Sequence, residues 1–260
     1  MVYMAEAKVA WVTGGIAGLG VQVAKTLAAA GYRVAVNYRN SREKAEKLQQ
    51  EIEADGGELF TLQGDVSRVE DVRRMVATIR ERMGRIDVLV CTAGPFLFKR
   101  IDAVDHDDEQ WRELVDGNLS GVFYCVREVV PDMRQRGWGR IITFGFPEVE
   151  TAPAWSGFSA YAAAKAGLVS FTRTLAQEEA RHGITVNMVS PGDIRPPYKE
   201  ASIAAARGKQ EPRNPVGRPG TGEDLARVIR FLTEADSDFI TGAVIPVTGG
   251  FDNRDFQVSD

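Results

Sequence analysis

The chain has 260 residues, a formal net charge of −4 and only two cysteines. A length of this order buries a large core and suits a single α/β domain. The acidic balance excludes a nucleic-acid or anionic-membrane surface as the main partner, because both demand a basic field, so a small molecule is expected instead.

The N-terminal stretch "MVYMAEAKVAWVTGG" carries an acid where a signal peptide needs a base, and it passes directly into a predicted strand at 8–13. Helices are then predicted over 18–30, 42–54, 68–83, 108–134, 158–182 and 222–234. They alternate with apolar strands at 33–38, 58–64, 86–91, 140–145, 184–190 and 243–247. Continuous apolar strands separated by helices of 3.6-residue period predict a doubly wound parallel sheet, Rossmann-like, in three α/β/α layers and one domain over 1–260. Segments 95–107 and 193–220 resist the pattern, and polar loops of such length are usually functional. Cys91 and Cys125 sit in apolar runs without C-x-x-C spacing, so they read as reduced core residues, with no metal site, in a cytoplasmic protein. No run of about 18 apolar residues offers a membrane span.

Several motifs carry chemistry. "WVTGGIAGLG" puts Gly14, Gly18 and Gly20, with Leu19 among them, in the turn from first strand to first helix. Missing Cβ atoms there let backbone approach a pyrophosphate at the helix N-terminus. The second strand ends in Tyr38-Arg39-Asn40-Ser41. A carboxylate at this point would take ribose hydroxyls, whereas an arginine fork with neighbouring donors matches a 2′-phosphate, so NADP(H) is expected over NAD(H). In "YAAAK", Tyr161 and Lys165 lie four apart on one helix face. A nearby ammonium is expected to lower the phenol pKa toward working pH, as suits a general acid.

The chain resembles the single-domain short-chain dehydrogenase/reductases along nearly its whole length. "TGGIAGLG" resembles the family's TGxxxGxG, "GDV" at 64–66 its adenine-binding acid, "CTAG" at 91–94 its NNAG, "GNLSGVF" its helix asparagine motif, "YAAAK" its YxxxK, and "SPGDI" its nicotinamide loop. The resemblance implies that Asp65, with Val66 beside it, meets the adenine and that Ala93 and Gly94 pass beneath a ribose. It also implies that Pro191, Gly192 and Ile194 flank the nicotinamide, that Lys165 holds a ribose, and that Asn118 supports a water leading protons to Lys165. It implies an oligomer as well, a tetramer by family habit, with a dimer left open.

Two departures stand out. The family's serine, 13 residues before the tyrosine, is missing: strand register puts Phe146 at its position, and counting back from Tyr161 gives Glu148. Phenylalanine donates no hydrogen bond, so oxyanion stabilisation must come from elsewhere, with Thr143, Ser156 and Ser159 as candidates, or be absent. Pro196 stands where a carboxamide-binding threonine is common. The expectation is an NADP-dependent enzyme moving hydride between nicotinamide and a carbonyl substrate of ketone or 3-oxoacyl type. The alternatives are a pteridine or dihydrofolate reductase using Glu148 and a non-catalytic NADP(H)-binding sensor. The segment 193–220 resembles the substrate lid. Its bases Arg195, Lys199, Arg207, Lys209 and Arg213 suggest an anionic substrate or carrier.

Overall fold

The computed structural model describes residues 7–251. At its centre lie β1 (Val9–Thr13), β2 (Arg33–Tyr38), β3 (Glu58–Gln63), β4 (Val88–Cys91), β5 (Gly139–Phe144), β6 (Ile184–Pro191) and β7 (Val244–Val247). All are parallel, in the order β3-β2-β1-β4-β5-β6-β7. Every residue of β1, β4 and β5 is buried, which is why these strands read as unbroken apolar runs and not as alternating ones.

Alternate residues feed two cores. On one face Trp11, Leu89, Ile141 and Met188 pack with α3 (Val69–Met83), α5 (Gly121–Arg136) and α6 (Ser159–Glu179). On the other, Val12, Val36, Val90 and Ile142 pack with α1 (Leu19–Ala29), α2 (Arg42–Ala54) and α8 (Gly222–Thr233). This is the expected Rossmann-like three-layer architecture; the termini of the predicted 1–260 span lie outside the described residues. Among those residues no helix is long and apolar enough to cross a membrane.

The helix predicted over 108–134 is interrupted. It comprises α4 (Asp108–Val115) and α5, joined by a π turn at Asp116–Ser120. A capping box opens α4: Gln110 N donates to Asp107 Oδ1 at 2.7 Å, and Asp107 N donates to the Gln110 side chain. The wider turn lets the Asn118 amide reach Leu114 O at 2.9 Å and Pro95 O at 2.8 Å. Such single π turns recur at functional sites. In the segment 193–220 a single helical turn, α7 (Ile203–Ala206), is the only α-helix described between β6 and α8.

Strand order reverses between β1 and β4, whose onward connections leave in opposite directions. The C-terminal strand edges therefore open a crevice there, the place where α/β sheets bind ligands.

Candidate active site

A cleft of about 870 Å³ runs along that edge, from Arg39 and Asp65 at one end to Phe146, Trp155 and Tyr161 at the other. The glycine turn forms its floor. Gly14 and Gly18 have φ of 64° and 62°, in the left-handed region that side chains disfavour. A Cβ on Gly14 would sit 3.0 Å from Ala93 Cα, and one on Gly20 2.7 Å from the Thr92 hydroxyl. The turn can therefore pack on the end of β4 only without side chains. Buried Asn37 ties it to β2: its Oδ1 accepts from Gly14 N at 3.3 Å and Trp11 Nε1 at 3.2 Å, while its amide donates to Gly64 O at 3.0 Å. Thr13 completes the join by accepting from Ala93 N at 3.1 Å and from the Thr92 hydroxyl.

Gly18 caps α1 and leaves its outer side open. Its N–H donates to a carboxylate oxygen of Glu200, from the lid, at 2.8 Å. An anion already stands on the helix N-terminus, so this turn fits the phosphates of a dinucleotide. The Glu200 backbone is held separately, its carbonyl accepting from Gln22 Nε2 at 2.7 Å.

At the far end the Arg39 guanidinium is 58% exposed and lies 3.7 Å from Asp65 and 3.8 Å from Glu113. The other Asp65 oxygen accepts from the Ser67 N–H and hydroxyl at 2.9 and 2.7 Å. Asn40 and Ser41 depart from expectation. They lie outside the cleft wall, because the chain bends away after Arg39 to start α2.

Tyr161 and Lys165 sit on the first turns of α6, facing the cleft. Lys165 is 4% exposed; its ammonium donates to Phe144 O at 2.9 Å and lies 5.7 Å from the Tyr161 ring centre. Burial pushes its pKa down to about 8, opposed weakly by Cys91. Burial likewise pushes the Tyr161 phenol above its ordinary value. The predicted lowering of that phenol by Lys165 is therefore not what this geometry gives: the ammonium is turned to a backbone carbonyl while rings desolvate the phenol. Asn118 lines the same cleft. Both its N–H bonds are used, but its buried Oδ1 accepts none, an open acceptor of the kind a bound water fills.

Around Tyr161 the wall is aromatic. Phe96 meets it edge-on at 4.9 Å, Trp155 lies at 6.0 Å and Phe146 at 6.1 Å. Phe98 stands edge-on to Phe96 at 5.0 Å, and Phe158 stacks behind Phe96 at 5.3 Å. Of the two registers for the missing hydroxyl, the strand count faces the cleft. Phe146 and Pro147 line it, whereas Glu148, in a left-handed conformation with φ of 61°, does not. None of the candidate replacements lines the cleft. Thr143 is buried against the Thr172 hydroxyl at 2.8 Å, Ser156 is exposed outside the wall, and the Ser159 hydroxyl is buried outside it.

Pro191, Gly192 and Ile194 line the roof, where Gly192 N donates to Val247 O at 3.1 Å. The basic lid is largely neutralised. Asp193 takes Arg195 at 2.8 Å and Arg213 at 3.2 Å, and Arg207 and Lys209 are exposed away from the cleft. Arg195 and Lys199 line the cleft, and the Lys199 ammonium lies 5.3 Å from the Phe98 centre.

The cleft thus gathers Gly14, Gly18, Leu19, Gly20, Arg39, Asp65, Val66, Ala93, Gly94, Asn118, Tyr161, Lys165, Pro191, Gly192 and Ile194. Sequence reasoning missed Phe96, Phe98, Glu113, Trp155 and Glu200. Only the aromatic, pattern-breaking stretch after Gly94 signalled any of them.

The family described as enoyl-(acyl carrier protein) reductase matches residues 15–252. The Bacillus subtilis protein YtkK, named as an oxidoreductase, is 48% identical over 93% of this chain and 95% of its own. A solved Bacillus thuringiensis structure, described as a 3-oxoacyl reductase, is 45% identical, covers 95% of this chain and 98% of its own, and superposes with a TM-score of 0.88. A metagenomic blue fluorescent protein, solved in complex with NADPH, is 31% identical with a TM-score of 0.81, covering 94% and 97% of the two chains. With the reversed strand order, the glycine turn and the Tyr161–Lys165 pair all in one cleft, these matches establish that the chain belongs to the short-chain dehydrogenase/reductase family of oxidoreductases.

Proposed function

We propose that this protein is an NADP(H)-dependent oxidoreductase acting on a carbonyl substrate of ketone or 3-oxoacyl type. The observation that carries the reading is the meeting of Tyr161, Lys165 and Asn118 with the glycine turn in one cleft. A bound nicotinamide dinucleotide supplies hydride chemistry; the chain binds, orients and protonates. In this reading the α1 N-terminus at Gly18, Leu19 and Gly20 holds the phosphates, Asp65 and Val66 the adenine, and Arg39 the 2′-phosphate. Ala93, Gly94 and Lys165 take the ribose, and Pro191, Gly192 and Ile194 take the nicotinamide. The NADPH complex of the fluorescent relative and the 3-oxoacyl description of the Bacillus thuringiensis protein support cofactor and substrate type.

Tyr161 gives its proton to the substrate oxygen. Its phenol is desolvated in this structure, so the proton is held until negative charge develops beside it. Lys165 turns from the Phe144 carbonyl toward the ribose, and the open Oδ1 of Asn118 holds a water that returns protons to Lys165. Phe146 stands in the place of the family's serine, so Tyr161 is left as the side-chain donor to the reacting oxygen.

The pteridine-type alternative finds no support, since Glu148 lies outside the wall. The sensor reading does not account for Tyr161, Lys165 and Asn118 together, because binding alone needs no proton relay. We further propose a cytoplasmic homo-oligomer, one domain with its substrate lid at about 193–220. The decisive variant is Tyr161→Phe. NADPH-dependent turnover of a carbonyl panel should fall at least about 10³-fold while NADPH binding, read by nucleotide fluorescence, stays within about twofold. Undiminished turnover would remove Tyr161 from the mechanism.

A further inference from the structure

The substrate end of the cleft combines two features. It is walled by rings, and beside the reacting position Tyr161 is the side-chain donor, with Lys199 standing farther out over Phe98. Phe96, Phe98, Phe146 and Trp155 line it with Tyr161, and adjacent ring centres lie 4.9 to 6.1 Å apart in edge-on or tilted pairs. Hydroxyls that could help are directed elsewhere: Thr143 to Thr172, and Ser159 into the protein. The Trp155 indole nitrogen is buried. Asn118 spends its N–H groups on Pro95 O and Leu114 O, and Lys165 spends one on Phe144 O. Phe98 is 71% exposed, a large ring at the mouth with the Lys199 ammonium 5.3 Å from its centre.

Hydride addition to an isolated ketone leaves a full charge on one oxygen, and a second donor there is worth about 10²–10³ in rate. A site without it favours a substrate that carries the charge itself. Resting on the carbonyl-reductase reading above, we propose that the substrate is a flat, aryl-bearing 1,2-dicarbonyl compound. Its second carbonyl withdraws electrons from the reacting one, and its plane lies among Phe96, Phe146 and Trp155. The step balances. The reacting carbon gains a hydride from the reduced nicotinamide nucleotide, the C=O π pair moves to oxygen, and that oxygen takes the Tyr161 proton. The dione becomes a hydroxyketone, the nucleotide is oxidised, and solvent returns the proton to Tyr161.

The test compares 1-phenylpropane-1,2-dione, propiophenone and the N-acetylcysteamine thioester of 3-oxobutanoate, each with NADPH and the full-length protein. The expected kcat/KM for the dione exceeds both others by at least about 100-fold. Because a dione is intrinsically more reactive, Phe146→Ser supplies the second arm. A hydroxyl restored there should raise kcat for propiophenone at least about tenfold and so narrow the dione-to-propiophenone ratio of kcat by at least about tenfold. Phe146→Leu, which opens space without a donor, should do neither. The calorimetric Kd of the dione, measured without turnover, should weaken both in Trp155→Ala and in Phe146→Ser, because both rings pack on its plane.

Propiophenone or the thioester turned over within tenfold of the dione by the unaltered protein would overturn the proposal. This holds whether or not the serine variant folds. Equal responses to serine and leucine would overturn it too. If Tyr161→Phe still abolishes all turnover in those cases, the carbonyl-reductase reading survives and only the substrate class fails. No reduction of any of the three would count against both.

Discussion

The ammonium of Lys165 is buried with one backbone carbonyl as its acceptor, and this sets a pH dependence. Its pKa in the folded protein, about 8, lies below the ordinary 10.5. Below pH 8 both folded and unfolded chains carry the proton, and the desolvation penalty is fully present. Between about pH 8 and 10.5 the unfolded chain holds a proton that the folded protein has shed, so this group adds stability as pH rises. Lys165→Met removes the penalty altogether. The variant should be the more stable at pH 7, and its advantage should shrink by about 2 kcal/mol by pH 9.5, read by urea denaturation of the nucleotide-free protein. A constant gap would mean that water reaches the ammonium. The helix spacing of Tyr161 and Lys165 was legible in the sequence, because i, i+4 neighbours share a face wherever a helix forms. The sign of the phenol's shift was not, since desolvation comes from Phe96, Phe146 and Trp155, which only the fold brings around it.

Among the elements, strands and helices on the β2–α2 side were read to the residue: β2 at 33–38 and α2 at 42–54. There the apolar pattern alone decides. The π turn was hidden, because the Pro95 carbonyl that Asn118 meets across it comes from another loop. The segment 193–220 stood out in the sequence as pattern-breaking and basic, but the pairing of its bases did not. Asp193 absorbs Arg195 and Arg213. The unforeseen lid residue is Glu200, whose carboxylate occupies Gly18 N–H, where a dinucleotide phosphate would bind. Its backbone is tied to Gln22, so the side chain alone can swing away when an anion arrives. Glu200→Gln weakens the competitor by removing its charge. An exposed helix-terminal charge is worth about 0.3–1 kcal/mol, so NADPH binding should tighten about two- to fivefold, and less at high salt. Unchanged affinity at low salt would show that Glu200 leaves without resistance.

In the proposed reading, cofactor choice is decided at the scale of the whole molecule, because the place proposed for the 2′-phosphate is assembled from three distant pieces. Arg39 follows β2, Asp65 follows β3, and Glu113 belongs to α4 on the other side of the strand-order reversal. The sequence offered Arg39 beside a missing carboxylate and hence NADP(H). It could not offer Glu113, which topology alone delivers to the guanidinium. Both carboxylates are within 4 Å of Arg39 and partly offset its charge. A 2′-phosphate therefore has to displace acids from the fork that would grip it. Two substitutions should act in opposite directions. Arg39→Asp turns the fork into a ribose acceptor and should lower the NADPH-to-NADH ratio of kcat/KM by at least about 30-fold, the loss of a charge-assisted bidentate contact. Glu113→Gln removes a like charge facing the phosphate across solvent and should raise that ratio about two- to fivefold, with the gain fading as salt screens it. Both ratios are read from steady-state kinetics with one carbonyl substrate. A fall on Glu113→Gln would mean that Glu113 orients Arg39, and its restoration by Glu113→Asp would separate orientation from repulsion.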